Sequence, residues 1–187
     1  MKELKESKSP VGGDWTLVDT SGKAFSSSNL SGSYYLIFFG FTNCPDHCPS
    51  ALYYLNTVYR VIRNIPEGAY IKLKLVFVSI DPERDTPKEM KSFLSHFSKN
   101  MIGISGSEPN DIELREAMKK FKVYCKKIPN KEGQRPGYTI DHSSNIYLMN
   151  PDNEYLYHID ENLTEQQAAK AIIGKIVTNE HRKQKQI

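Results

Sequence analysis

The chain has 187 residues, of which 39% are hydrophobic, 11% aromatic and 25% charged, an ordinary composition for one globular domain with a sizeable core. Its 25 basic and 22 acidic residues leave a formal charge of +3, and the basic groups are scattered, which argues against a nucleic-acid partner. No apolar run approaches the ~20 residues of a membrane span, and three cysteines are too few for a disulfide scaffold.

The opening Met1 to Pro10 is polar and reads as neither a signal nor a transit peptide. As given, the chain is expected to be soluble, with any anchor or targeting segment of a natural precursor lying upstream. Trp15-Thr-Leu-Val and Lys23-Ala-Phe predict a hairpin turned at Asp19-Thr-Ser-Gly22. Tyr34 to Phe41 is a continuous apolar run, as expected of a central strand covered on both faces, and Lys72 to Ile80 is a second. Between them Leu52, Leu55, Tyr59 and Ile62 recur at helical spacing, predicting a helix over about 49–64 and a β-α-β unit with parallel strands.

Thr86-Pro87-Lys88-Glu89 reads as a capping box with proline at the first helical position, opening a helix with Met90, Phe93, Leu94 and Phe97 on one face. Met101 to Ser105 fits a short strand. Asn110 with Glu113 predicts the start of a third helix carrying Leu114, Ala117, Met118 and Phe121. From Lys126 to Gly137 the Lys, Pro, Asn, Gly and Gln content predicts an exposed, mobile loop. Asn145 to Met149 and Glu154 to His158 flank Asn150-Pro151-Asp152-Asn153 as a β-hairpin, and Thr164, Gln167, Ala168, Ile172 and Ile176 mark a capped closing helix. The order predicts a mixed-sheet, three-layer α/β domain over 11–178, with a polar segment at 1–10 and a charged tail at 179–187.

The chemistry concentrates in Gly40-Phe-Thr-Asn-Cys-Pro-Asp-His-Cys-Pro49, where the first buried strand gives way to the first helix. Backbone N–H groups at a helix start favour thiolate over thiol. If the helix begins at Cys44, the two sulfurs stack on one face; if its first turn is irregular, they can converge across a loop. Two close thiolates are soft ligands that favour Cu(I), and they are equally a potential disulfide. The best candidate for a third ligand is His142, just before the predicted hairpin, which would complete a trigonal site for Cu(I), or for Cu(II) with a further weak ligand.

Residues 40–49, Ser79-Ile-Asp-Pro-Glu-Arg-Asp-Thr86, and Asp141-His142 followed by Ile-Tyr-Leu-Met-Asn-Pro-Asp152 resemble, in order and spacing, the three hallmark segments of the Sco/SenC copper chaperones. The resemblance runs from about Val11 to Val177. It implies a thioredoxin-like fold with an N-terminal β-hairpin, copper held by Cys44, Cys48 and His142, and delivery of that copper to the binuclear centre of cytochrome c oxidase subunit II. It also implies an upstream copper donor protein and a membrane tether outside this chain. Such proteins face the mitochondrial intermembrane space from the inner membrane, or the bacterial periplasm. A second role, thiol–disulfide reduction of the target's cysteines by Cys44 and Cys48, fits the same residues. Departures from the usual pattern are Asn43 in place of a histidine, His47 as an auxiliary ligand or a solvated side chain, and Cys125, usually tyrosine, as a structural or free thiol. Asp81, Glu83, Arg84 and Asp85 read as an ion-pair network or as a docking surface beside the metal site.

Overall fold

The computed structural model describes residues 11–130, 137–159 and 162–185. The predicted hairpin is present as β1 (Thr16–Asp19) and β2 (Ala24–Ser26). Its turn is closed by the Asp19 carboxylate, which accepts from the backbone N–H groups of Ser21 and Lys23 at 2.7 and 3.0 Å. That pattern is how a short acidic side chain replaces backbone pairing in a tight turn.

After one turn of 3-10 helix at Ser27–Leu30, every residue of β3 (Tyr34–Gly40) is buried. The helix α1 (His47–Asn64) buries Cys48, Ala51, Leu52, Leu55, Val58 and Ile62, and the single turn α2 (Pro66–Ala69) follows it. Next, β4 (Leu73–Ser79) pairs with β3 in parallel, with Phe38 opposite Phe77 and Gly40 opposite Ser79. The helix α3 (Pro87–Ser95) opens on the Thr86/Glu89 capping box with Pro87 in its first turn, and β5 (Met101–Ser105) extends the parallel set beside β4.

Both crossovers run in the same direction across the sheet. Right-handed connections therefore place α1 and α3 on one face. A Cβ on Gly103 would lie 2.6 Å from Leu94 of α3, and one on Gly40 would lie 2.9 Å from the Cys48 sulfur of α1. Gly103 is opposite Phe77, and Phe77 is opposite Phe38 and so shares the face of Gly40.

The opposite face, carrying Phe39 and Tyr147, is covered by Phe121 at the end of α4 (Ile112–Lys120), with ring centroids 5.1 and 5.6 Å apart. The cap of α4 differs from expectation by one residue. Asp111 accepts from Leu114 N at 3.0 Å, whereas Asn110 sits at φ +65°. The Asp111 carboxylate does the capping, and asparagine, which tolerates positive φ, supplies the left-handed residue before it.

The predicted loop from Lys126 is in part a strand. β6 (Cys125–Pro129) pairs antiparallel with β7 (Tyr138–His142) as a ribbon of its own, and residues 131–136 of the expected loop lie outside those described. The ladder is held by backbone bonds, to which lysine offers the same N–H and C=O groups as valine; the polar composition that suggested a loop reflects the ribbon's exposed side chains. The hairpin β8 (Ile146–Met149) and β9 (Tyr155–Ile159) then returns to β3, and α5 (Glu165–Gln184) packs against α1. The main sheet runs β2-β1-β5-β4-β3-β8-β9, so parallel strands at its centre are flanked by antiparallel ones. This is the mixed, three-layer thioredoxin-like plan.

Candidate metal centre

α1 begins at His47, which settles the local geometry of the cysteine pair: Cys44 precedes the helix and Cys48 lies in its first turn. Asp46 occupies the N-cap position without making a side-chain cap bond. The Cys44 sulfur takes that role, accepting from Cys48 N at 3.3 Å. A helix start leaves N–H groups unpaired and carries partial positive charge, so a thiolate there is stabilised.

The two sulfurs behave differently. Cys44 is half-buried and Cys48 fully buried, and neither is in a disulfide. A hydrogen bond from the Cys48 thiol, reinforced by His142 and by the backbone N–H groups of Cys48 and Asp46, holds Cys44 down at about 3 against the opposing effect of burial. Cys48 is pushed far up by the neighbouring Cys44 sulfur and by its own burial. The pair therefore shares one proton at neutral pH, with the negative charge on the accessible partner.

His142 reaches this pair from β7. Its Nε2 lies 3.6 Å from the Cys48 sulfur, and its Nδ1 lies 2.8 Å from the Ser143 carbonyl oxygen. A carbonyl only accepts, so Nδ1 carries a proton there and Nε2 is the ring atom turned to the two sulfurs. The edge-on rings of Phe41 and Phe38, with centroids 5.7 and 6.4 Å away, fix the imidazole plane. A trigonal ion with ordinary metal–sulfur and metal–imidazole bonds would separate sulfur from nitrogen by about 3.7 Å. The observed spacing already fits that. Among the described residues, no three His, Cys, Asp or Glu side chains form a preformed metal cage. The three residues adjoin one another through the bond from Cys48 N to the Cys44 sulfur and the contact of the Cys48 sulfur with His142 Nε2.

His47 is exposed and lines a shallow depression with Ser50, Ala51 and Tyr54 along the outer side of α1. Cys125 stands directly opposite His142 in the ribbon, a relation invisible while 126–137 is read as loop. Burial and the charge of Asp81 push its thiol up. The charged segment after β4 is largely an internal network: Asp81 and Asp85 are buried, Arg84 pairs with Asp81 at 2.5 Å, and Asp85 accepts from Thr42 in the cysteine loop. Glu83 is exposed and pairs with Lys127 of β6 at 2.5 Å. Sequence reasoning missed Thr42 and Tyr138 as partners of this segment; its surplus of charge beyond what helix capping needs was the one available signal.

The SCO1/SenC family model matches residues 3–177. An SCO2-like protein of Rickettsia felis is 37% identical over 155 residues, covering 83% of this chain and 72% of the relative. The mitochondrial protein SCO1 of Saccharomyces cerevisiae is 35% identical over 175 residues, covering 90% of this chain but 55% of the relative. Among solved structures, copper-bound ScoI of Bradyrhizobium japonicum is 38% identical with a TM-score of 0.73, covering 87% of this chain and 97% of that one. BsSco, described with a disulfide switch and as a member of the Sco family of cytochrome c oxidase assembly proteins, is 25% identical with a TM-score of 0.67, covering 95% and 97%. No helix among the described residues is long and apolar enough to cross a membrane.

Proposed function

Because the chain belongs to the SCO1/SenC family, we propose that it is a copper metallochaperone of cytochrome c oxidase assembly, carrying copper on Cys44, Cys48 and His142 to the binuclear centre of subunit II. The observation that carries this reading is the convergence of two sulfurs, one held as thiolate, with the imidazole Nε2 3.6 Å from the second sulfur. Two soft thiolates and one imidazole suit Cu(I) and disfavour hard cations.

Uptake displaces the remaining proton from Cys48, so loading releases acid and its affinity rises with pH. Cys44 is the accessible ligand, and an incoming thiolate of the acceptor exchanges there first. Ser143 holds the imidazole in one tautomer throughout, so His142 need not reorganise between loading and unloading. An upstream copper donor and a tether outside this chain complete the reading. The proposed location is the mitochondrial inner membrane facing the intermembrane space, with a membrane-anchored periplasmic setting as the bacterial counterpart.

The test is an anaerobic titration of the reduced protein with Cu(I). Uptake near one equivalent is expected, strongly weakened in each of Cys44→Ser, Cys48→Ser and His142→Ala. Unchanged affinity in all three variants would sink the assignment.

A second reading, thiol–disulfide reduction of the target's cysteines, is favoured by the asymmetry of the pair. The Cys44 thiolate attacks a partner disulfide and forms a mixed disulfide; Cys48 then displaces the partner, which leaves reduced while the chain is oxidised. Dithiol exchange survives His142→Ala, whereas copper transfer does not, so that variant separates the two.

A further inference from the structure

The cysteine loop and the His142 strand belong to different sheets, and something has to set the distance between them. We infer that the turn Asp81–Asp85 is a two-sided clamp that positions the cysteine loop against β7, with Asp81, Arg84 and Asp85 acting as positioning residues. The inference rests on the reading of Cys44, Cys48 and His142 as the copper ligands.

On the loop side, Asp85 is 2% exposed and accepts from Thr42 N at 2.8 Å, from Thr42 Oγ1 at 2.6 Å and from Ser79 Oγ at 2.6 Å. Thr42 is two residues before Cys44. On the strand side, the fully buried Asp81 accepts from Arg84 Nε at 2.5 Å and from the Tyr138 hydroxyl at 2.7 Å. Arg84 Nη1 donates to the Tyr138 carbonyl oxygen at 2.7 Å, and its guanidinium lies 3.8 Å from the Tyr138 ring centroid. Tyr138 and His142 are the two ends of β7 and share one face of it. The same guanidinium lies 5.8 Å from the ring of Phe41, the ring that meets the His142 imidazole edge-on.

Five consecutive residues thus grip both ligand-bearing elements. Two carboxylates buried in so short a turn carry a desolvation cost that apolar side chains would avoid. Arg84 Nη2 is buried without a partner, so the guanidinium's placement answers to Asp81 and Tyr138 rather than to its own full pairing. Both features suit a device for geometry, since hydrogen bonds to charged groups have direction that packing lacks.

The experiment uses Thr42→Val and Tyr138→Phe, which keep the backbone bonds and side-chain shape and remove one hydroxyl each: that of Thr42 donates to Asp85 and accepts from Asn43, and that of Tyr138 meets Asp81 and Glu83. Tyr54→Phe, which deletes the remote bond of α1 to the Leu163 carbonyl, is the control for a merely structural loss. Competition against a chromogenic Cu(I) chelator should show about a 10-fold loss of affinity in each clamp variant and none in the control. The Cu(II)–thiolate absorption band should shift in the clamp variants alone. In the copper-free protein, Thr42→Val should move the NMR signals of the His142 ring, although Thr42 does not touch it. Unmoved ring signals, or affinity and band unchanged in folded clamp variants, would overturn the clamp; so would an equal effect of Tyr54→Phe. If the wild-type protein takes up no Cu(I), the proposed function fails, and the ring signals still decide the clamp.

Discussion

Gly40 offers a way to move the Cys48 sulfur without altering any ligand. Its φ is not in the left-handed region, so glycine is needed there for close approach. A Cβ at this position would lie 2.8 Å from Phe38 Cε1, 2.9 Å from the Cys48 sulfur and 3.1 Å from Phe77 Cε2. Both rings are fully buried and pinned between sheet and helices, so the strain falls on the sulfur and on the start of α1. To regain ordinary contact the sulfur must retreat by about 0.5 Å, against the ~0.2 Å within which metal-site distances are normally held. Over-packing of this kind costs about 1–3 kcal/mol, which for a chain of this size lowers Tm by several degrees, ~2–4 °C per kcal/mol. Gly40→Ala should therefore fold, melt somewhat earlier, and lose about tenfold or more in Cu(I) affinity while Cys44, Cys48 and His142 are all present. The assay is chelator competition alongside a thermal melt of the copper-free protein. Wild-type affinity in Gly40→Ala would refute the claim that the sulfur's position is set by the bare backbone beneath it.

Three further predictions follow, two from the thiol chemistry and one from the start of α4. With Cys44 held at about 3, iodoacetamide should label it in the reduced, copper-free protein at pH 5 nearly as fast as at pH 7. Cys48 and Cys125, both pushed up, should label slowly; a tenfold fall in the Cys44 rate per unit below pH 8 would contradict this. The unfolded chain binds a proton at Cys44 below ~8.5 that the folded protein refuses down to about 3, so stability should fall as pH drops through that window. Urea melts should show this slope flattened in Cys44→Ser. At the start of α4, Asp111→Ala should cost about 1 kcal/mol in urea denaturation, whereas Asn110→Gly, at positive φ, should be neutral or mildly stabilising; the reverse order would restore Asn110 as the cap.

Much of the architecture was legible in the chain because its central strands are buried on both faces. Tyr34 to Gly40 and Leu75 to Val78 announce themselves as unbroken apolar runs, and Thr86 with Glu89 announces a helix start by chemistry that acts over three residues. The cysteine pair was legible for the same reason, its spacing being local. What escaped was whatever depends on partners far along the chain. Cys125-Lys-Lys-Ile-Pro129 has no apolar alternation, since its ladder with 138–142 uses backbone groups that every residue type carries. Asp85 reads locally as a loop acid; that it holds Thr42, 43 residues away in sequence, appears only in three dimensions. His142 as a partner of Cys48 rested on motif resemblance rather than spacing, because 94 residues separate them and no periodicity spans that gap.

His142 sits on a ribbon that is not hydrogen-bonded into the seven-stranded sheet, whereas both cysteines are rooted at the end of a central strand and its helix. Withdrawing the imidazole therefore breaks no rung of the main ladder, and its cost is local rather than a share of the unfolding free energy. Retention and release are thus separable quantities in this fold. Under the proposed function, substitutions in the ribbon should change how long the protein keeps its cargo with little effect on its unfolding, whereas one in a central strand, as at Gly40, changes both.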